Sequence, residues 1–174
     1  MNEVEIIQKC QRNDLSAFKM IYDRYKQPLL HTAFRMLGQQ QDAEDAVQTT
    51  FLKLYRGIQK FHCGSRFSTY LFRILLNVCF DMLKKRKIKN IQLDEKMDLS
   101  HQPKNDLKMC LEDAIGKLPE RMRACFVLFA VEDIRQNEIA KILNLSVGGV
   151  KSNIYHAKAK LRAVLSDSLV KEKA

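Results

Sequence analysis

The chain has 174 residues, 46% of them hydrophobic, and carries 30 Lys and Arg against 20 Asp and Glu, a formal net charge of +10. That hydrophobic share supports one packed domain or two small ones and excludes a disordered tail. The positive charge points to a nucleic-acid or acidic-surface partner and is silent on fold. No run approaches the roughly 18 apolar residues of a membrane span, and the acidic opening "MNEVEIIQKCQRND" lacks the apolar centre of a secretory signal. Five cysteines with no CxxC spacing are expected to be reduced thiols in a cytosolic protein, serving as small apolar filler. Cys63, beside His62 in an expected loop, is the one to watch for reactivity.

Apolar residues recur at helical spacing almost throughout, which predicts an all-α fold. The spacing predicts helices over 3–11, 15–26, 28–37, 42–56 and 65–87, with Gly38 and Gly57 at helix stops and Pro28 in a first turn. In 42–56, Asp42, Glu44 and Asp45 sit where the helix dipole favours anions, and Lys53 and Arg56 where it favours cations. Val47, Phe51, Leu54 and Ile58 form its predicted buried stripe. Asp45, Gln48, Thr49 and Leu52 share another face, and an exposed Leu among polar groups suggests a protein contact. Asp42 and Asp45 share a face too, but no His or third acid completes a metal site, so none is expected.

The segment 65–87 is apolar nearly all round at its centre and ends in Lys84, Lys85, Arg86 and Lys87. Phe67, Leu71, Ile74 and Val78 are predicted core. Phe61, Phe67 and Tyr70 could instead stack on unpaired bases, core being the safer reading of each. The basic end is either merely solvated or turned toward a nucleic acid. After it, 90–106 is polar, contains Pro103 and has few large apolar residues, which predicts a flexible linker between two small helical domains. Helical spacing resumes over 107–117, from Pro119 to 132, over 136–143 and over 147–165.

The last two of these helices carry the sharpest signal. No Asp or Glu occurs between Glu138 and Asp167, although the rest of the chain mixes its charges. Ala140 is small where two helices would cross closely, Asn144 tolerates a left-handed turn, and Ser146 can cap the next helix. Val150, Ile154, Ala157, Leu161 and Leu165 then form an inward stripe. Lys151, Tyr155, Lys158 and Arg162 form the neighbouring one, with Ser152 and His156 beside it. A basic stripe alone could be a solvated face. With the turn and the cap it predicts a helix-turn-helix whose second helix enters the major groove, where a carboxylate would repel phosphates.

Taken in order and spacing, "DAEDAVQTTF", "FSTYLFRILLNVCFD", "LPERMRACFVLF" and "EIAKILNLSVGGVKSNIYHAKAKL" resemble the extracytoplasmic-function (ECF) group of bacterial sigma factors over nearly the whole chain. The resemblance implies a sigma region 2-like domain over 1–89, a linker over 90–106 and a region 4-like helix-turn-helix domain over 107–174. It implies a cytoplasmic subunit that binds core RNA polymerase and promoter DNA, acting as a monomer on the polymerase, with an anti-sigma factor as a further partner. Asp42, Asp45, Gln48 and Leu52 would face the polymerase clamp. His62, Cys63, Gly64 and Ser65 would capture a flipped base of the minus-ten element, with Arg66, Asn77, Lys84, Lys85, Arg86 and Lys87 near that DNA. Ser146, Lys151, Ser152, Asn153, Tyr155, His156 and Lys158 would face the minus-thirty-five element.

The chain departs from the family pattern at several points. Thr49 replaces a usual Glu, Gln39 a common Asp, Asn144 the turn Gly and Gly149 a frequent Thr. Asn153 and His156 stand where Arg is common, so the family's usual promoter preference is not implied for this chain. The competing reading is a stand-alone helix-turn-helix regulator that acts without polymerase. A nuclease is disfavoured because no clustered acids or His/Cys ligand set is present. No catalytic residue and no cofactor are expected.

Overall fold

The structure, a computed structural model, describes residues 2–62, 66–93 and 107–172; among these the regular elements are α-helices and one turn of 3-10 helix. Helix α1 (Glu3–Gln11) starts from a capping box in which Asn2 accepts from the Glu5 N–H while Glu5 accepts from the Asn2 N–H. Asp14 caps α2 (Leu15–Leu37), and its bonds from the Ser16 hydroxyl and the Ala17 N–H hold its carboxyl below the usual range. The sequence predicts a break near residue 27, but α2 runs unbroken through Pro28. A proline inside a helix costs about 3 kcal/mol. Ile21, Leu29, Ala33 and Met36 lie on both sides of it and are buried, and each large side chain recovers about 1.5–3 kcal/mol, so packing wins. The helix stops at Gly38, whose φ of +77° is the left-handed conformation that favours glycine.

Helix α3 (Gln40–Gly57) packs on α2 through Val47, Phe51 and Leu54, and Ile58 completes the stripe the sequence predicts. Helix α4 (Phe67–Leu93) crosses both, with Phe67, Leu71, Leu75 and Val78 buried and Ile74 half-buried. It extends past residue 87, because nothing between Ile88 and Leu93 breaks a helix. The remainder of the predicted linker, 94–106, lies outside the described residues. The Phe61 ring packs on Phe67 at 5.5 Å and on Tyr70 at 5.0 Å, and Phe61 and Phe67 are buried, which decides for core over base stacking in those two.

The second lobe comprises α5 (Leu107–Gly116), α6 (Glu120–Ala130), α7 (Gln136–Leu143) and α8 (Val147–Glu172). Ile115, Leu118, Val127, Ala157 and Leu161 make a small core of their own. Ile139, Ile142, Val150 and Ile154, by contrast, are continuous with the core of the first lobe. Polar contacts tie the lobes as well. The Thr32 hydroxyl donates to Glu132 at 2.8 Å, and Arg35 pairs with Glu112 at 2.8 Å. Arg123 bridges the lobes by donating to the Met36 carbonyl at 2.6 Å and to the Leu118 carbonyl at 2.9 Å. Burial pushes the Glu132 carboxyl up against the lowering effect of its Thr32 bond. Burial likewise raises the thiols of Cys79 to about 12 and Cys125 to about 11, which makes them packing groups and not nucleophiles.

Candidate functional site

The turn between α7 and α8 has the geometry its residues suggest. Asn144 adopts φ 52°, ψ 52°, and the N–H groups of Asn144 and Leu145 both return to the Ala140 carbonyl. Ser146 accepts from the Gly149 N–H at 3.0 Å and so caps α8. A Cβ at Gly149 would lie 3.2 Å from that hydroxyl, a close fit that suits glycine. Val150, Ile154, Ala157 and Leu161 are buried and Leu165 half-buried, so the predicted stripe faces inward. Lys151, Ser152, Tyr155, His156 and Lys158 are all exposed, Tyr155 at 70%. Two members of the predicted set have other engagements. Asn153 is half-buried and donates to the Gly149 carbonyl at 2.8 Å, and the Lys158 ammonium sits 4.9 Å from the centre of the Phe129 ring.

On the first lobe, His62 is exposed, and Cys63, Gly64 and Ser65 lie outside the described residues. Arg66, Asn77, Lys84 and Lys87 line one side, where α4 meets the second lobe. Asn77, Lys84 and Lys87 border a cleft of about 600 Å³ closed from the other side by Glu120, Arg121 and Lys141. Arg66 pairs with Glu138 at 3.0 Å and Lys87 with Glu120 at 2.7 Å. Arg73, absent from the predicted set, reaches across to donate to the Lys141 carbonyl at 2.6 Å.

Arg86 departs from the predicted group. Its guanidinium turns inward, donates to the Leu37 carbonyl at 2.8 Å at the end of α2, and pairs with Asp42. One cation thereby satisfies a helix terminus and joins α2, α3 and α4. Asp42, expected on the polymerase-facing surface, is half-buried in that pair. Arg86→Met should therefore lower stability by about 1–2 kcal/mol, a charged hydrogen bond discounted for its partial exposure. Lys85→Met, at an exposed neighbour, should not. Urea unfolding of the two variants checks this.

On α3, Asp45, Gln48 and Leu52 share an exposed face, Leu52 at 58%. Tyr55, one turn further on, is 46% exposed and sits edge-on to Phe18 at 5.3 Å, enlarging the apolar edge beyond what the sequence reading names. Its place three residues after Leu52 is the signal that could have found it. Among the described residues no group of three or more His, Cys, Asp or Glu gathers to hold a metal, and no helix is long and apolar enough to cross a membrane.

Comparison with known proteins fits this geometry. Sigma-70 region 2 matches residues 21–88, and Sigma-70, region 4 matches residues 108–161. The chain belongs to the sigma-70 family: it is an RNA polymerase sigma factor, which binds the polymerase and directs transcription initiation. Within that family it belongs to the ECF group. It is 30% identical to the ECF RNA polymerase sigma factor SigW of Bacillus subtilis, over 92% of this chain and 95% of the relative. It is 25% identical to the RNA polymerase sigma-H factor of Pseudomonas aeruginosa, over 95% and 94%. Among solved structures, CnrH in complex with the cytosolic domain of CnrY is similar with a TM-score of 0.74 and 27% identity, over 93% of this chain and 96% of that one. RpoE from Bartonella quintana, solved with the anti-sigma factor NepR, shares the fold at a TM-score of 0.74 and 24% identity.

Proposed function

We propose that the two lobes divide the work of promoter recognition, residues 1–89 binding core polymerase and the minus-ten element and residues 107–174 reading the minus-thirty-five element, with 90–106 as the connection. The observation that carries this is the coexistence in one chain of an exposed α8 face free of carboxylates over 147–166 and an exposed Leu52–Tyr55 edge on α3. The first suits a major groove and the second a protein surface. Asp45, Gln48, Leu52 and Tyr55 form the polymerase contact. Arg66, Asn77, Lys84, Lys85 and Lys87 meet minus-ten DNA, with His62, Cys63, Gly64 and Ser65 as the base-capturing segment. Lys151, Ser152, Tyr155 and His156 read the upstream duplex and Lys158 a phosphate, while Ser146 positions the helix that carries them.

The chain acts by binding and catalyses nothing itself; phosphodiester chemistry belongs to the polymerase. It works in the cytoplasm as a monomer on the polymerase. An anti-sigma factor is a further partner, a reading supported by the complexes in which CnrH and the Bartonella sigma factor were solved. The test is run-off transcription by purified core polymerase, with and without the chain, on a promoter library. Discrete transcripts that require both components are expected. Duplex binding by the chain alone, with no change in transcription, would favour a regulator that works without polymerase.

A further inference from the structure

We propose that the acidic half of the second lobe is a built-in substitute for promoter phosphates, which holds the chain closed and withholds its minus-ten face from DNA. The proposal rests on the reading that α4 presents that face to the promoter.

The charges of the second lobe are segregated. All its acids before Asp167 fall between Glu112 and Glu138, and the following 28 positions, 139–166, have none. Three of those acids point at cations of the first lobe: Glu112 to Arg35 at 2.8 Å, Glu120 to Lys87 at 2.7 Å and Glu138 to Arg66 at 3.0 Å. Arg66 and Lys87 are in the proposed minus-ten set, so the carboxylates occupy places where phosphates would bind. Asn77 and Lys84 line the cleft opposite Lys141 and Ile142 of α7. The α8 face lines no part of that cleft and stays open, with Lys151, Tyr155 and His156 exposed. A closed chain can therefore read an upstream duplex while two of its minus-ten cations, Arg66 and Lys87, are held by its own carboxylates. Opening and minus-ten binding are coupled because closure and DNA compete for the same two cations, Arg66 and Lys87.

Arg35 and Glu112 belong to neither the DNA-facing nor the polymerase-facing set, and they supply the test. Arg35→Glu sets a carboxylate against Glu112 and should open the lobes. It also makes the chain less positive, so any gain in DNA binding cannot come from added charge. If the closed form holds about two thirds of the molecules, opening should tighten binding of a mixed-sequence single-stranded DNA oligonucleotide about threefold. The radius of gyration from small-angle scattering should rise, with helicity unchanged. The charge swap Arg35→Glu/Glu112→Arg should restore both values. The parent chain gives a second measurement free of folding artefacts: it should expand as salt rises to about 1 M, where the screening length falls to roughly 3 Å. A radius unchanged by salt, or an opened Arg35→Glu chain that binds the oligonucleotide no better than the parent, overturns the proposal. Failure of the underlying promoter reading would look different, as an absence of transcription from core polymerase with every form of the chain.

Discussion

Leu52→Glu should cost the chain its hold on core polymerase and leave its fold alone. Leu52 is 58% exposed on α3, and no buried group depends on it, so its loss should change stability by no more than about 0.5 kcal/mol. An apolar side chain at the centre of an interface is worth about 2 kcal/mol or more, which is roughly a thirtyfold loss of affinity. A carboxylate adds the cost of being buried without a partner. Pull-down on core polymerase should show that loss, and the melting temperature should stay within a degree or two, roughly. Leu54→Glu is the control from the opposite face of the same helix. Leu54 is fully buried, and a carboxylate there should unfold the lobe before any binding can be measured. A Leu52→Glu chain that binds normally, or one that unfolds, would remove the residue from the contact. Tyr55→Ala should act in the same direction with a smaller effect, since its ring is partly held against Phe18.

Sequence periodicity is a local signal, and it read what is locally determined. The α3 stripe of Val47, Phe51, Leu54 and Ile58 and the α8 stripe from Val150 to Leu161 both face the core, because a wrong face would expose several large side chains at once. The α7–α8 turn was legible for the same reason: Asn144 and Ser146 act on backbone groups within five residues of themselves. Pro28 misled because its local penalty is visible in the sequence, while the packing of Leu29 and Met36 that offsets it is not.

What the sequence hid is non-local. Lys84, Lys85, Arg86 and Lys87 read alike in a run of four cations. Only the folded chain brings the end of α2 and Asp42 to Arg86, Glu120 to Lys87, and leaves Lys85 in solvent. Glu112, Glu120, Glu132 and Glu138 look like ordinary solvated acids when read along the chain. Their shared orientation toward the first lobe appears only in the fold, because Glu112, Glu120 and Glu138 come from α5, α6 and α7 and Glu132 from the connection between α6 and α7. Asn153 shows the same limit on a shorter scale. Spacing places it beside Lys151 and Ser152, but its amide is bound to the preceding turn of its own helix.

The cations of α8 should divide into base readers and phosphate binders. Lys151 stands in the first turns of the helix, the part that approaches base edges when a recognition helix enters the major groove. A Lys–guanine contact there discriminates by about 1–3 kcal/mol, or roughly five- to 150-fold between the right base and the wrong one. Lys151→Ala should therefore change which upstream element the chain prefers. Lys158 lies two turns further along and is steadied over the Phe129 ring, a position suited to a phosphate of the flanking backbone. Lys158→Ala should weaken every sequence alike and flatten the dependence on salt by about one ion. Its loss of the ring contact at an exposed site costs only about 0.5–1 kcal/mol, too little to unfold the lobe and confuse the result. Binding of the full chain to a randomised duplex library at two salt concentrations separates these effects. If sequence preference survives Lys151→Ala, base reading must fall to Tyr155, Ser152 and His156, which stand exposed on the same face. If both variants bind as the parent does, the carboxylate-free face is solvated surface and α8 does not enter the groove.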